Sequence, residues 1–113
     1  MTTYDAIVVG AGPAGSFLSY LLARTGRRVA LLDRERFPRE KVCGGGISRK
    51  SILLLEFDIS RVAHRWTTGA LLTFQNQTTV VKDLPCAVGC TTLRCEFDQM
   101  LLTRACEAGV HFL

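Results

Sequence analysis

The strongest constraint on this chain is six residues long. Gly10-Ala11-Gly12-Pro13-Ala14-Gly15 has the spacing GxGxxG. The spacing alone is a weak signal, and its flanks give it meaning. Before it, residues 5–9 (Asp-Ala-Ile-Val-Val) are short, apolar and β-branched, the pattern of a buried parallel strand. After it, residues 14–25 carry Leu18, Leu21 and Leu22 at i, i+3 and i+4, with Gly26 in place for a C-terminal cap; this predicts a helix. Residues 28–32 are a second apolar run, stopped by Asp33. Strand, tight turn, helix and strand within about thirty residues make a βαβ unit with a right-handed crossover.

Each position of the turn has a mechanical role. Gly10 permits the tight bend, Gly12 lets a diphosphate approach the backbone, and Gly15 lets the helix pack closely on the sheet. Pro13 and Ala14 open the helix, whose first N–H groups and partial positive charge face an anion. Asp33 ends the second strand about twenty residues further on, where a carboxylate accepts hydrogen bonds from ribose hydroxyls and disfavours a 2′-phosphate. Arg34 is placed either to stack on an adenine or to face solvent. The plainer reading is a turn that only tightens a βα corner, with Asp33 as an ordinary strand end. It is the weaker one, because three glycines, both flanks and the acid stand in register.

The rest of the chain reads as follows. Residues 34–46 are a loop rich in charge and then in glycine, and Ser48 caps a helix over 49–56. Residues 69–75 and 78–82 pair as antiparallel strands, with Asn76 suited to the turn, and 87–93 form another strand. A helix over 96–108 repeats Phe97, Met100, Leu101, Arg104 and Ala105 at helical spacing, and residues 110–113 open a third buried strand. Trp66, Leu71, Leu72 and Phe74 read as core packing, with a lipid-facing lobe as the other option. The fold class is therefore α/β: a Rossmann-like dinucleotide-binding βαβ unit with a small antiparallel β insertion.

Two further segments carry a resemblance. Phe37-Pro38-Arg39-Glu40-Lys41-Val42-Cys43-Gly44-Gly45-Gly46-Ile47-Ser48 resembles a signature of the geranylgeranyl reductase family, within the wider group of FAD-dependent enzymes that includes the aromatic-ring hydroxylases. Arg94-Cys95-Glu96-Phe97-Asp98-Gln99-Met100-Leu101 is similar to that group's Arg-x-x-Phe-Asp-x-x-Leu helix. Flavin halogenases share the first motif, but usually follow Phe-Pro-Arg with Gly-Glu-Ser, where this chain has Cys-Gly-Gly-Gly. The resemblance implies an FAD-dependent oxidoreductase that reduces C=C bonds of a prenyl or similar lipid, with a nicotinamide cofactor or a small electron carrier as reductant. It implies that Cys43, Gly44 and Gly45 line the ribityl and ring end of the flavin, and that Arg94 reaches the same cofactor. Arg39 and Lys41 are either solvated loop charges or phosphate contacts, and Cys43 is either functional or simply packed. Two other functions stay open: an FAD-dependent monooxygenase, and a non-catalytic dinucleotide-binding fragment. No catalytic residue is assigned.

The resemblance also sets the domain expectation. The 113 residues correspond to the N-terminal part of one FAD-binding domain, with 1–68 and 92–113 as dinucleotide-binding core and 69–91 as the start of a substrate-domain β insertion. Relatives carry later Asp-Gly and Gly-Asp segments that this stretch lacks, so an incomplete fold with exposed strand edges is expected. Composition narrows the partners. The net charge is +4, and the window from Arg24 to Lys41, with seven basic and three acidic residues, carries all of it. No aromatic or Arg-rich periodic stripe accompanies that charge, so nucleic acid is not the expected partner. The five cysteines have no leader and no paired zinc spacing, which argues for a reducing, cytoplasmic setting and against a metal site. A prenyl-lipid substrate would bring peripheral contact with a membrane surface.

Overall fold

A computed structural model describes all 113 residues. In chain order the elements are β1 (Ala6–Val9), α1 (Pro13–Arg24), β2 (Val29–Leu32), β3 (Gly46–Ser48), α2 (Arg49–Leu54), β4 (Arg65–Thr67), β5 (Gly69–Phe74), β6 (Thr78–Asp83), β7 (Gly89–Thr91), α3 (Arg94–Glu107) and β8 (His111–Phe112). They separate into two compact units, Met1–Val42 with Arg94–Leu113, and Cys43–Leu93. The sequence reading puts 43–68 with the dinucleotide-binding core. In the structure that segment packs within the second unit, because β3 and β4 both pair with β7.

The first unit is a three-stranded parallel sheet in the order β1-β2-β8. The α/β, Rossmann-type expectation holds here. Ala11, Val29, Leu31, Leu102, Ala105 and Val110 form its core, with Val8, Tyr20, Leu22 and Phe112 packed around them. The central strand is buried as its apolar run predicts. The edge strand β1 is not. It alternates, with Val8 against the core while Ile7 is 66% and Val9 is 82% exposed, because no layer covers the other face of the sheet at that edge.

The helices also differ from simple periodicity. Leu18 and Leu21, two of the three leucines that suggest α1, are exposed, while Ser16 and Ser19 are fully buried. Small side chains lie on the inner face of α1, where α3 packs closely against it. The Ser16 hydroxyl donates to the carbonyl of Ala11 at 3.0 Å, which satisfies one of the two buried serines. In α3 the buried positions are Phe97, Asp98, Leu101, Leu102 and Ala105, so a carboxylate takes a place among apolar side chains.

In the second unit β7 is the middle strand of β3-β7-β4, and β5 pairs with β6 as a hairpin. Ser48 caps α2 as expected, its hydroxyl accepting from the Ser51 N–H. The hairpin turn has φ of 48° at Gln75 and 56° at Asn76, a left-handed bend that asparagine tolerates well. Strand β4 is absent from the sequence reading because Arg-Trp-Thr is too short and too polar to show alternation. Trp66, Leu71, Leu72 and Phe74 do not pack into a core; each is 46–68% exposed. Leu71, Leu72 and Phe74 lie on a two-stranded ribbon that has no second layer to bury them, and Trp66 lies on β4 at the edge of the three-stranded sheet.

The position of α1 depends on Gly15. A Cβ there would lie 1.8 Å from the carbonyl oxygen of Gly10, a contact with backbone that no rotamer change relieves. Gly15→Ala should therefore destabilise the chain by about 1–3 kcal/mol, towards the upper end. A urea midpoint equal to that of the wild type would show that the helix start can shift freely.

Candidate dinucleotide-binding site

The glycine turn forms from the inside out. Gly10 has φ of 101°, and its N–H donates to the carbonyl of Leu32 at 2.7 Å, which ties the end of β1 to the end of β2. Ala11 is fully buried, and its N–H donates to Asp33 Oδ2 at 2.7 Å. Asp33 Oδ1 accepts from the Glu35 N–H at 2.9 Å. The acid is thus a strut of the turn as well as a candidate ribose acceptor. Each carboxylate oxygen has two lone pairs, so both roles fit one side chain.

Gly12 caps the helix with φ of −70° and no side-chain cap. Nothing in the chain itself requires glycine at this position. Its backbone is in an ordinary region, and an added Cβ would meet only Arg39 Nη2, at 3.7 Å. The space over Gly12 and the uncapped helix start suit a close approach by an anion.

An open cavity of about 660 Å³ lies over this turn. Val9, Gly10 and Gly12 line it from the turn, Asp33, Arg34 and Glu35 from the strand end, Arg39, Glu40 and Lys41 from the following loop, and Arg94 from the start of α3. Of the residues singled out by sequence, Gly10, Gly12, Asp33, Arg34, Lys41 and Arg94 meet here, and Pro13, Ala14 and Gly15 continue the turn into α1. Arg34 is largely solvated and lies 3.5 Å from Glu35. Lys41 is exposed. Cys43, Gly44 and Gly45 belong to the second unit. There Gly45 has its own structural reason: φ is 68°, and a Cβ would lie 1.9 Å from the carbonyl oxygen of Thr92. Gly44 has no such neighbour. Cys43 is exposed, and its Sγ accepts from the Gly45 N–H at 3.4 Å.

Arg39 is not a solvated loop charge. Its side chain is 14% exposed, its guanidinium carbon stands 4.7 Å from the centre of the Phe37 ring, and Nη1 lies 2.9 Å from Asp98 Oδ2. That last contact is an ion pair without the alignment of a hydrogen bond. Arg94 adds an aligned fork, Nε to Oδ1 at 2.8 Å and Nη2 to Oδ2 at 3.0 Å. Sequence reasoning missed Asp98. The available signal was the i, i+4 spacing of Arg94 and Asp98 beside Phe97 and Leu101.

Burial is the largest influence on the Asp33 carboxyl and opposes its ionisation. The Glu35 and Ala11 N–H groups, with the charges of Arg39 and Arg34, together outweigh it and hold the pKa below its ordinary 3.8. The acid therefore remains charged where it braces the turn.

A glycine turn closed by a carboxylate, an uncapped helix start and a wall that mixes Arg34, Arg39, Lys41 and Arg94 with Asp33, Glu35 and Glu40 suit a dinucleotide. Residues 3–111 match the FAD binding domain family. The chain belongs to that family. FAD is accordingly its cofactor, and the space over Gly12 with the free lone pairs of Asp33 fits one. The chain is 38% identical over 114 residues to a geranylgeranyl diphosphate reductase of Rhodobacter capsulatus, covering 97% of this chain and 27% of that protein. It is 31% identical over 116 residues to a flavin-dependent halogenase of Armillaria mellea, covering 95% of this chain and 23% of that protein. A crystal structure of a geranylgeranyl bacteriochlorophyll reductase-like protein from Thermoplasma acidophilum superposes with a TM-score of 0.88 at 24% identity, over 99% of this chain and 30% of that one. This last likeness establishes the shared fold. The chain spans less than a third of the length of the curated relatives it matches.

Gly12→Val should leave the fold intact and abolish FAD binding, read by circular dichroism and flavin fluorescence; retained flavin would displace the diphosphate from the turn. Asp33→Ala should weaken FAD binding by about 1.5–3 kcal/mol through loss of charge-assisted hydrogen bonds. Because the Asp33 pKa is lowered in the fold, its contribution to stability is fully present above 3.8 and is lost as pH falls through the lowered value. The stability gap between wild type and Asp33→Asn should accordingly be flat at neutral pH and close in acid. A gap that instead closed on raising the pH would contradict this assignment.

Proposed function

We propose that the chain is part of an FAD-dependent oxidoreductase of the geranylgeranyl reductase type, acting on C=C bonds of a prenyl or similar lipid. The observation that carries this reading is the segment Phe37–Ser48, in which Cys43-Gly44-Gly45-Gly46 follows Phe37-Pro38-Arg39 with three residues between. The Rhodobacter relative, matched over nearly the whole chain, supports it. So does the exposed apolar ribbon of Leu71, Leu72, Phe74, Val80 and Val81, a surface suited to an apolar substrate or a lipid boundary.

When bound, FAD supplies the redox chemistry, and the chain's residues bind and orient it. Gly10, Gly12, Pro13, Ala14 and Gly15 receive the diphosphate, and Asp33 the ribose. Arg34, Lys41 and Arg94 supply positive charge along the cavity, and Cys43, Gly44 and Gly45 meet the ribityl and ring end. The reductant is a nicotinamide cofactor or an electron carrier. No helix is long and apolar enough to cross a membrane. In this reading a prenyl-lipid substrate brings peripheral contact with a membrane surface.

The halogenase relative and the wider hydroxylase group favour a second reading, oxygen-dependent chemistry on the same cofactor. Product analysis separates the two. The protein, reconstituted with FAD and supplied with reductant and a geranylgeranyl substrate under anaerobic conditions, should give a product heavier by H2 per reduced bond. A product that forms only with oxygen, hydroxylated or halogenated, would replace the reductase reading. Equal, weak affinity for FAD and ADP-ribose, with no turnover, would leave a non-catalytic dinucleotide-binding module.

A further inference from the structure

We propose that Asp98 is a positioning residue for the diphosphate of the cofactor: from within α3 it fixes the Arg39 guanidinium over the glycine turn and Arg94 beside it. This rests on the dinucleotide reading of the cavity and adds a residue that does not line it.

Asp98 has no exposed surface. A buried carboxylate is costly unless it is paired, and this one is paired twice. Arg94 reaches both its oxygens, and Arg39 shares Oδ2. The cluster has two cations and one anion, and only the cations line the cavity. The carboxylate therefore sits behind the two arginines and leaves one net positive charge facing the turn.

Arg39 is held on a second side. Its guanidinium lies on the Phe37 ring, which packs edge-on against Phe112 of β8 with centroids 5.8 Å apart. Nη2 stands 3.7 Å from where a Cβ of Gly12 would be. A guanidinium fixed in this way loses little freedom when an anion arrives, which is the usual gain from preorganisation. Stability alone is a poor account of the arrangement, because well-packed apolar groups commonly replace buried ion clusters without loss.

Removing the Asp98 charge makes the cavity more positive, which favours a diphosphate. It also removes the anion that stands between Arg39 and Arg94, so Arg39, although still on the Phe37 ring, loses the contact that fixes its guanidinium over the turn. Placement wins over charge here, because Arg39 reaches the turn only while it is pinned.

The test uses the full chain and compares ADP with adenosine by calorimetric titration. Asp98→Asn should weaken ADP by about tenfold, the scale of one lost charge-assisted hydrogen bond, and leave adenosine unchanged. Combined with Arg39→Gln, it should bind ADP no worse than Arg39→Gln alone, since both changes remove the same contact. Equal losses for ADP and adenosine, additive losses, or unchanged or tighter ADP binding would each overturn the proposal. If the wild type binds neither ligand, the dinucleotide reading itself falls and takes this proposal with it. If the wild type binds ADP and Asp98→Asn binds it equally well, the proposal falls alone. Should Asp98→Asn lose its helical circular dichroism, Asp98→Glu, which keeps the charge but displaces it by a methylene, is read against the same two ligands.

Discussion

The first unit depends on the contact between Gly15 and the carbonyl of Gly10, where a single added carbon would collide with backbone. That closeness lets α1 begin directly over the end of β1. Once it does, three hydrogen bonds tie down the inner side of the turn. The Gly10 N–H reaches β2, the Ala11 N–H reaches Asp33, and the Ala11 carbonyl receives the Ser16 hydroxyl. The outer side, at Gly12 and the helix start, has no side-chain partner. The turn is rigid on one face and open on the other, as close approach by an anionic ligand requires.

Electrostatics complete the site through an asymmetry. The basic window between Arg24 and Lys41 supplies most of the cavity's positive charge, and Asp33 and Asp98 fix where that charge stands. Asp33 works at the surface of the cavity through backbone N–H groups. Asp98 works from inside the helix through two guanidiniums. Each gives an otherwise flexible cation or loop a definite place.

The second unit follows a different logic. Its middle strand β7 gathers β3 and β4, and Thr92 and Gly45 lock together through a backbone hydrogen bond of 2.9 Å. Gly45 is therefore explained by local packing, whereas Gly44 has no neighbour within reach. The β5–β6 ribbon presents apolar side chains outward along its length. Such a surface is unusual for a small fold and accords with an apolar ligand or lipid boundary.

Much of this was legible from local pattern. The β1–turn–α1–β2 order, the Ser48 cap, the Asn76 bend and the α3 helix are set by residues close together in the chain, so periodicity and turn chemistry reveal them. The family followed from Phe37–Ser48 and Arg94–Leu101, where side-chain types recur in a recognisable order. Other features depended on partners far away in the chain. Ser16 and Ser19, rather than Leu18 and Leu21, are buried because α3 packs against that face. Ile7 and Val9 are exposed because no further layer covers β1. Arg39 and Asp98, some sixty residues apart, meet only when the loop after β2 folds against α3. The sequence alone determined the β1–turn–α1–β2 unit, the α3 helix and the glycine turn open to a diphosphate, because these rest on short-range periodicity and sterics. Tertiary structure alone decided which charges are buried and where they point, because burial is a property of what packs on a residue and not of the residue itself.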